Sequence, residues 1–255
     1  MSFTDKIAFV TGAGSGIGRA TALALAAEGA TVYAADINGD SVGAAVAEIE
    51  RAGGTAHALV TDVADLGALQ AAFDQIRSRS GRLDMAFNNA GIDGRVEPLL
   101  DIAADEWARI INVNLTSQFL CLQLEIDLML ENGGGTIVNN ASVGGLLGTY
   151  FHAAYNASKH GVVGLTRSAA LEYIERGVRI NCVCPGAVRT QFMEELPAAV
   201  VDHLRAGTPA GRLAETSELA DAVLWLLSDR STYMVGHALA VDGGITAGDM
   251  GTKFS

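Results

Sequence analysis

The chain has 255 residues, 49% of them hydrophobic and only 18% charged, which supplies a substantial core and excludes a mostly disordered polymer. Twenty-nine acidic against 17 basic residues give a formal charge of −12, so neither nucleic acid nor an anionic membrane is an expected partner. Three cysteines, Cys121, Cys182 and Cys184, with no Cys-x-x-Cys and no histidine cluster, suit neither a disulfide framework nor a metal site and point to a reducing cytoplasm.

No basic stretch followed by an apolar run opens the chain, and nowhere do 18 apolar residues run together, so neither export nor a membrane span is expected. Apolar, β-branched runs of strand length alternate with helix-patterned stretches, the signature of βαβ units on a parallel sheet. Seven strands are expected, at residues 6–11, 31–35, 56–60, 83–88, 136–140, 179–183 and 238–241. Helical stretches fall at 16–28, 41–52, 66–80, 107–132, 153–176 and 218–228, with Gly29, Gly53 and Gly177 as stop signals. Four prolines, no linker and no repeat predict one domain over 1–255, an α/β doubly wound sheet of seven mostly parallel strands with helices on both faces. Only residues 188–213, with Pro197, Pro209 and a short amphipathic stretch, resist the alternation and suggest a substrate lid. Its Phe192, Met193, Leu196, Val200 and Leu204, with Leu146, Leu147, Tyr150 and Phe151, either line a hydrophobic cleft or fill the lid itself.

The first strand runs directly into Thr11-Gly12-Ala13-Gly14-Ser15-Gly16-Ile17-Gly18 and then into a helix. Strand, glycine turn and helix are the context in which backbone N–H groups and a helix dipole hold a pyrophosphate. Ile17 breaks Gly-x-Gly-x-x-Gly, and Gly12, Gly16 and Gly18 fit Gly-x-x-x-Gly-x-Gly instead. A turn that merely lets helix pack on strand is the plainer alternative. Asp36 favours the dinucleotide: 20 residues past Gly16, at a strand end, its carboxylate can accept both ribose hydroxyls and repel a 2′-phosphate. Ile37 and Asn38 follow it, and Ser15 stands where a phosphate would need a base, so NAD is expected over NADP.

Tyr155-Asn156-Ala157-Ser158-Lys159 sets a phenol and an ammonium four residues apart, on one face of a helix. A fixed cation favours phenolate and draws a pKa of about 10 toward the working range of a proton-transfer group. The same spacing also occurs on any amphipathic helix face.

Together these motifs resemble the classical short-chain dehydrogenase/reductase family over essentially the whole chain. The resemblance rests on the glycine turn, Asp62-Val63, Asn88-Asn89-Ala90-Gly91, Asn114, Ser142, Tyr155 with Lys159, Pro185-Gly186 and Asp242-Gly243-Gly244. It implies a Rossmann-like domain that binds NAD, needs no metal, and passes hydride between a secondary alcohol and a ketone. Tyr155 is then the acid/base at the substrate oxygen, Lys159 lowers its pKa and bonds the nicotinamide ribose, and Ser142 steadies the substrate oxygen. Asn114 holds a water linking Lys159 to solvent; Asn112 is a rival, but the 28-residue gap to Ser142 selects Asn114. Implied cofactor contacts are Gly12, Ser15, Gly16, Ile17, Gly18, Asp36 and Ile37, then Asp62 and Val63 beside adenine, and Asn89, Ala90 and Gly91. Tyr155 and Lys159 join them, with Pro185, Gly186, Val188 and Thr190 near the carboxamide. The chain looks similar to bacterial dehydrogenases of cyclic alcohols and dihydrodiols, and with the apolar residues of the lid and those after Ser142 this gives a hydrophobic cyclic or aromatic alcohol or dihydrodiol as the expected substrate. An NAD-dependent epimerase or dehydratase that recycles its cofactor, or a 3-oxoacyl thioester reductase, is the competing reading. The resemblance also implies a homotetramer built through the two long helices and the last strand. His152 is placed to line the cleft, and Trp107 and Trp225 read as packing anchors.

Overall fold

Strands covered on both faces need unbroken apolar runs, and the chain supplies them. A computed structural model describes residues 1–194 and 196–248; residues 249–255 of the expected domain and the side chain of the lid residue Phe192 lie outside the described residues. The strands are β1 (Ile7–Thr11), β2 (Thr31–Asp36), β3 (Thr55–Val60), β4 (Met85–Asn88), β5 (Gly135–Asn140), β6 (Val178–Pro185), β7 (Val188–Arg189), β8 (Ala214–Glu215) and β9 (Ala238–Val241). Between them lie α1 (Gly16–Ala27), α2 (Gly39–Arg51), α3 (Leu66–Ser80), α4 (Ala104–Ile111), α5 (Ser117–Leu130), α6 (Ala153–Tyr173), α7 (Gln191–Glu194), α8 (Ala198–Ala206) and α9 (Thr216–Leu227).

Seven strands form one sheet in the order β3-β2-β1-β4-β5-β6-β9. Every neighbouring pair is parallel, so the sheet is wholly rather than mostly parallel. The chain steps outward from β1 to β3, then returns to β4 on the other side of β1, and this reversal opens a crevice at the C-terminal strand ends. Side chains alternate across the pleat and build two apolar layers. Ala8, Val10, Val32 and Phe87 meet Leu25 of α1, Ile49 of α2 and Leu224 of α9 on one face. Phe9, Tyr33, Ile137 and Ile180 meet Phe73 of α3, Met129 of α5 and Ala170 of α6 on the other. Each such large side chain contributes about 1.5–3 kcal/mol by leaving water.

Where elements depart from expectation, local hydrogen bonding explains it. The Asn38 side chain accepts from Ser41 N–H at 3.0 Å and starts α2 at Gly39, ahead of the expected residue 41. The expected helix 107–132 is two helices, α4 and α5, joined by a π-helical turn over Asn112–Thr116. The lid segment is pinned at both ends by a small parallel ladder, Val188 to Ala214 and Arg189 to Glu215, too short to register as apolar pattern. Trp107 is 42% exposed and anchors no core, whereas Trp225 packs against the first layer.

Candidate active site

The glycine turn leaves β1 at the reversal point. Gly12 and Gly16 take φ values of +63° and +55°, which a side chain would strain, so glycine is what permits this path. Ser15 caps α1 without any side-chain hydrogen bond, and the N–H groups at the helix head remain available to an anion. Asp36 leans back over the turn: Gly14 N–H donates to its Oδ2 at 2.9 Å and Asn38 N–H to its Oδ1 at 3.0 Å. Arg19, one turn into α1, is committed to an ion pair with Glu48. These residues fit a nicotinamide dinucleotide, with a carboxylate rather than a cation at the ribose end.

Other expected cofactor residues lie at or after the C-terminal ends of β2, β3, β4 and β6. Ile37 and Asp62 are exposed and Val63 is buried, with Asp62 Oδ1 accepting from Ala64 N–H at 2.9 Å. The Asn89–Gly91 turn is bolted to the glycine turn, because Asn89 and Ala90 N–H both donate to Thr11 Oγ1, at 2.9 and 3.0 Å, while Asn89 Nδ2 donates to Thr11 O at 3.1 Å. Gly186 N–H bonds Val241 O at 3.1 Å, Pro185 and Val188 are buried, and Thr190 lies against Gly16, where an added Cβ would come within 3.4 Å of Thr190 Cγ2. The 188–190 loop therefore closes over the glycine turn.

Tyr155 and Lys159 sit in the first turns of α6, facing the end of β5. Ser142 follows β5 and accepts from Gly144 N–H at 3.0 Å, capping the short turn Val143–Gly145 and leaving its own proton to donate elsewhere. Small residues let that turn touch α6: a Cβ on Gly144 would lie 3.3 Å from Tyr155 Cε1, and one on Gly145 2.7 Å from Lys159 O. Lys159, 3% exposed, donates from Nζ to Asn140 O at 2.8 Å and stands 5.6 Å from the centre of the Tyr155 ring. Asn114, within the π-helical turn, has a side chain wholly committed: its Oδ1 accepts from Ile92 N–H at 2.8 Å, and its Nδ2 donates to Ile92 O at 2.8 Å and Ser158 Oγ at 3.1 Å. His152 lies beside the phenol, ring centres 6.2 Å apart, and the two border one pocket with Arg95 and Glu97.

Electrostatics corrects one expectation. Burial pushes the Tyr155 phenol up to about 12, and the opposing Ser142 hydroxyl does not offset it. Burial likewise brings the Lys159 ammonium down to about 8. The cation leans on the Asn140 carbonyl rather than on the phenolic oxygen, so here desolvation outweighs the expected pull of Lys159 on Tyr155. The sequence reading missed Asp93, whose negative charge raises both groups. An acid two residues beyond Asn89-Ala90-Gly91 was its available signal. It also missed Asn140, whose carbonyl holds Lys159 and whose Nδ2 donates to Asn89 Oδ1 at 2.9 Å, tying the Tyr155–Lys159 corner to the Asn89–Gly91 turn. Among the described residues no group of three or more metal-ligating side chains assembles, and no helix is long and apolar enough to cross a membrane.

A family model described as enoyl-(acyl carrier protein) reductase matches residues 12–246. The chain is 42% identical over 245 residues to the cyclohexanol dehydrogenase of Acinetobacter sp., covering 96% of each. It is 43% identical over 248 residues to the 2,5-dichloro-2,5-cyclohexadiene-1,4-diol dehydrogenase of Sphingobium indicum, covering 96% of this chain and 98% of that one. Of solved structures, levodione reductase matches with a TM-score of 0.93 at 38% identity, over 97% of this chain and 100% of the other. NAD+-bound xylitol dehydrogenase matches with a TM-score of 0.92 at 33% identity, over 96% and 100%.

Proposed function

The chain belongs to the short-chain dehydrogenase/reductase family, and we propose that it is an NAD(H)-dependent enzyme interconverting a secondary alcohol and a ketone on a hydrophobic ring. The observation that carries this reading is the meeting of Ser142, Tyr155 and Lys159 at the mouth that also holds the glycine turn and Asp36. The names of the relatives support the ring: cyclohexanol and a cyclohexadienediol are both six-membered carbocyclic alcohols. Leu147, Tyr150 and Phe151, exposed to 40%, 89% and 54% just before α6, support an apolar cleft wall in preference to a filled lid interior. Asp36 supports NAD, since a 2′-phosphate would meet its carboxylate and find Arg19 already paired.

When bound, the nicotinamide ring supplies or accepts the hydride and, oxidised, adds a positive charge. The rest falls to the chain. Backbone N–H groups at the head of α1 hold the pyrophosphate, and Asp36 holds the adenosine ribose. Ser142 steadies the substrate oxygen through its hydroxyl proton. Tyr155, a neutral phenol at physiological pH, is ready to donate to a ketone oxygen and in reverse receives the alcohol proton. Lys159, poised near about 8, holds the proton next in line and bonds the second ribose. Asn114, its side chain bonded to residue 92, would hold a water linking Lys159 to solvent.

Residues 1–255 then act as one dinucleotide-binding domain with 188–213 as its lid, a reading supported by the ladder pinning both ends of that segment. Three free, buried cysteines support a reducing, cytoplasmic setting. Exposed Trp107, Phe119 and Leu171 on α4, α5 and α6 support a homotetramer built on those helices. Absorbance of NADH tests the reaction class. With NAD and a panel of cyclohexanols, diols, sugar alcohols and a 3-hydroxyacyl thioester, NADH should form fastest with the cyclic alcohols. Turnover without net NADH, as in an epimerase, or a preference for the thioester, overturns the proposal.

A further inference from the structure

Four side chains from four elements form a buried chain under the cofactor turn: Glu125 of α5, Asn88 at the end of β4, Asn139 of β5 and Thr166 of α6. None is more than 1% exposed. Asn88 Nδ2 donates both of its protons, to Glu125 Oε2 at 2.9 Å and to Asn139 Oδ1 at 3.0 Å, and Asn139 Nδ2 donates to Thr166 Oγ1 at 2.9 Å. Two acceptors in this chain have no donor, Glu125 Oε1 and Asn88 Oδ1. They belong to the two groups that already share a hydrogen bond. A carboxyl and a carboxamide in that relation close a second bond only when the carboxyl carries a proton.

We infer that Glu125 is a neutral carboxylic acid donating from Oε1 to Asn88 Oδ1, and that this pair makes it a positioning residue for the turn Asn89–Gly91. As a carboxylate it would be buried with a single neutral donor and no cation, whereas one proton satisfies both orphaned atoms at once. Its helix α5 belongs to the apolar layer that also holds Phe73 and Ile76 of α3, Ile180 of β6, Ala169 of α6 and, from α5, Leu122 and Ile126. Among the described residues, the titratable group that Glu125 acts on is the buried Cys121 thiol of the same helix, pushed up by burial first and by Glu125 second. Arg77 of α3 is paired with Asp127 and Glu131 on the exposed side of α5. Burial accordingly pushes Glu125 up to about 8, the Asn88 bond being the opposing effect. Asn88 directly precedes the two N–H groups seated on Thr11 Oγ1, so fixing its side chain fixes the strand end from which the turn departs. The bearing on the dinucleotide rests on the cofactor reading above; the protonated pair does not.

Infrared spectra of the dinucleotide-free protein test the pair directly. Wild type should show the carbonyl stretch of a protonated carboxylic acid at neutral pH, fading as pH passes about 8 and absent from Glu125→Gln. No such band at neutral pH overturns the inference, and the wild-type spectra alone can show this. Glu125→Gln keeps both bonds, because its amide donates where the acid did. An unfolded glutamate ionises near about 4.3, so folding takes up a proton between there and the buried value. The wild-type melting temperature should therefore fall behind that of Glu125→Gln from about pH 5 to about pH 8 and keep a constant gap above. Parallel curves across that interval contradict the inference. For the positioning role, KM for NAD should climb above about pH 8 several-fold more in wild type than in Glu125→Gln. An equal climb in both assigns the effect to Lys159 and removes that role. A wild type that binds no dinucleotide at any pH defeats the functional proposal, while the infrared band still decides the pair.

Discussion

Asp36 commits both carboxylate oxygens to the backbone, at Gly14 and Asn38, and so shapes the glycine turn, and under the proposed function its remaining lone pairs would receive the adenosine ribose. Replacing it by alanine would confuse the two tasks; asparagine keeps an acceptor for the turn but loses the charge. Hydrogen bonds to charged groups contribute about 1.5–3 kcal/mol, so Asp36→Asn should narrow the preference for NAD over NADP by roughly 10- to 100-fold. An unchanged ratio of kcat/KM for the two cofactors contradicts the ribose assignment. Spacing put Asp36 at a strand end and Tyr155 with Lys159 on one helix face, while Ser142 and the roles of all four were legible only through the family resemblance. Their electrostatics was not legible. The phenol is raised by burial, and the backbone that comes close to its ring is that of Gly144, which carries no charge. Nor does sequence reveal that the Asn114 amide is used up on Ile92 and Ser158, since that depends on a π-helical turn.

Strands were the most readable elements. β6, with all eight residues buried, could hardly be anything but a central strand, and its extension to Pro185 beyond the expected end reflects pairing with β9 that no local pattern encodes. The lid ladder was invisible for the opposite reason, being two residues per strand and held by contacts across 26 positions. Trp107 shows where apolar pattern misleads: a large side chain at helical spacing suggests core, yet it faces outward together with Phe119 and Leu171. Burying such groups between copies would contribute about 1.5–3 kcal/mol each. Wild type should therefore sediment as a tetramer, and Trp107→Asp as a smaller species with its fold intact by circular dichroism. A monomeric wild type contradicts assembly through these helices.

At the scale of the molecule, the order β3-β2-β1-β4-β5-β6-β9 does the main work, since it brings the ends of β1, β2, β4, β5 and β6 to one edge. Alternation of strand and helix predicts a parallel doubly wound sheet, and the observed strand order then shows where its crevice opens. What the alternation could not give is the polar seam inside that edge, where Asn140 links Lys159 to Asn89 and Glu125 meets Asn88, because such contacts join residues far apart in the chain. The whole account turns on the Tyr155 hydroxyl as the group that moves the proton. Steady-state turnover of Tyr155→Phe on the best cyclic alcohol, with NAD binding followed separately by fluorescence, measures this most directly. Loss of a positioned acid/base predicts a kcat lower by about 10²- to 10⁴-fold with NAD affinity unchanged. A variant that binds NAD and keeps kcat within a few-fold of wild type would contradict it.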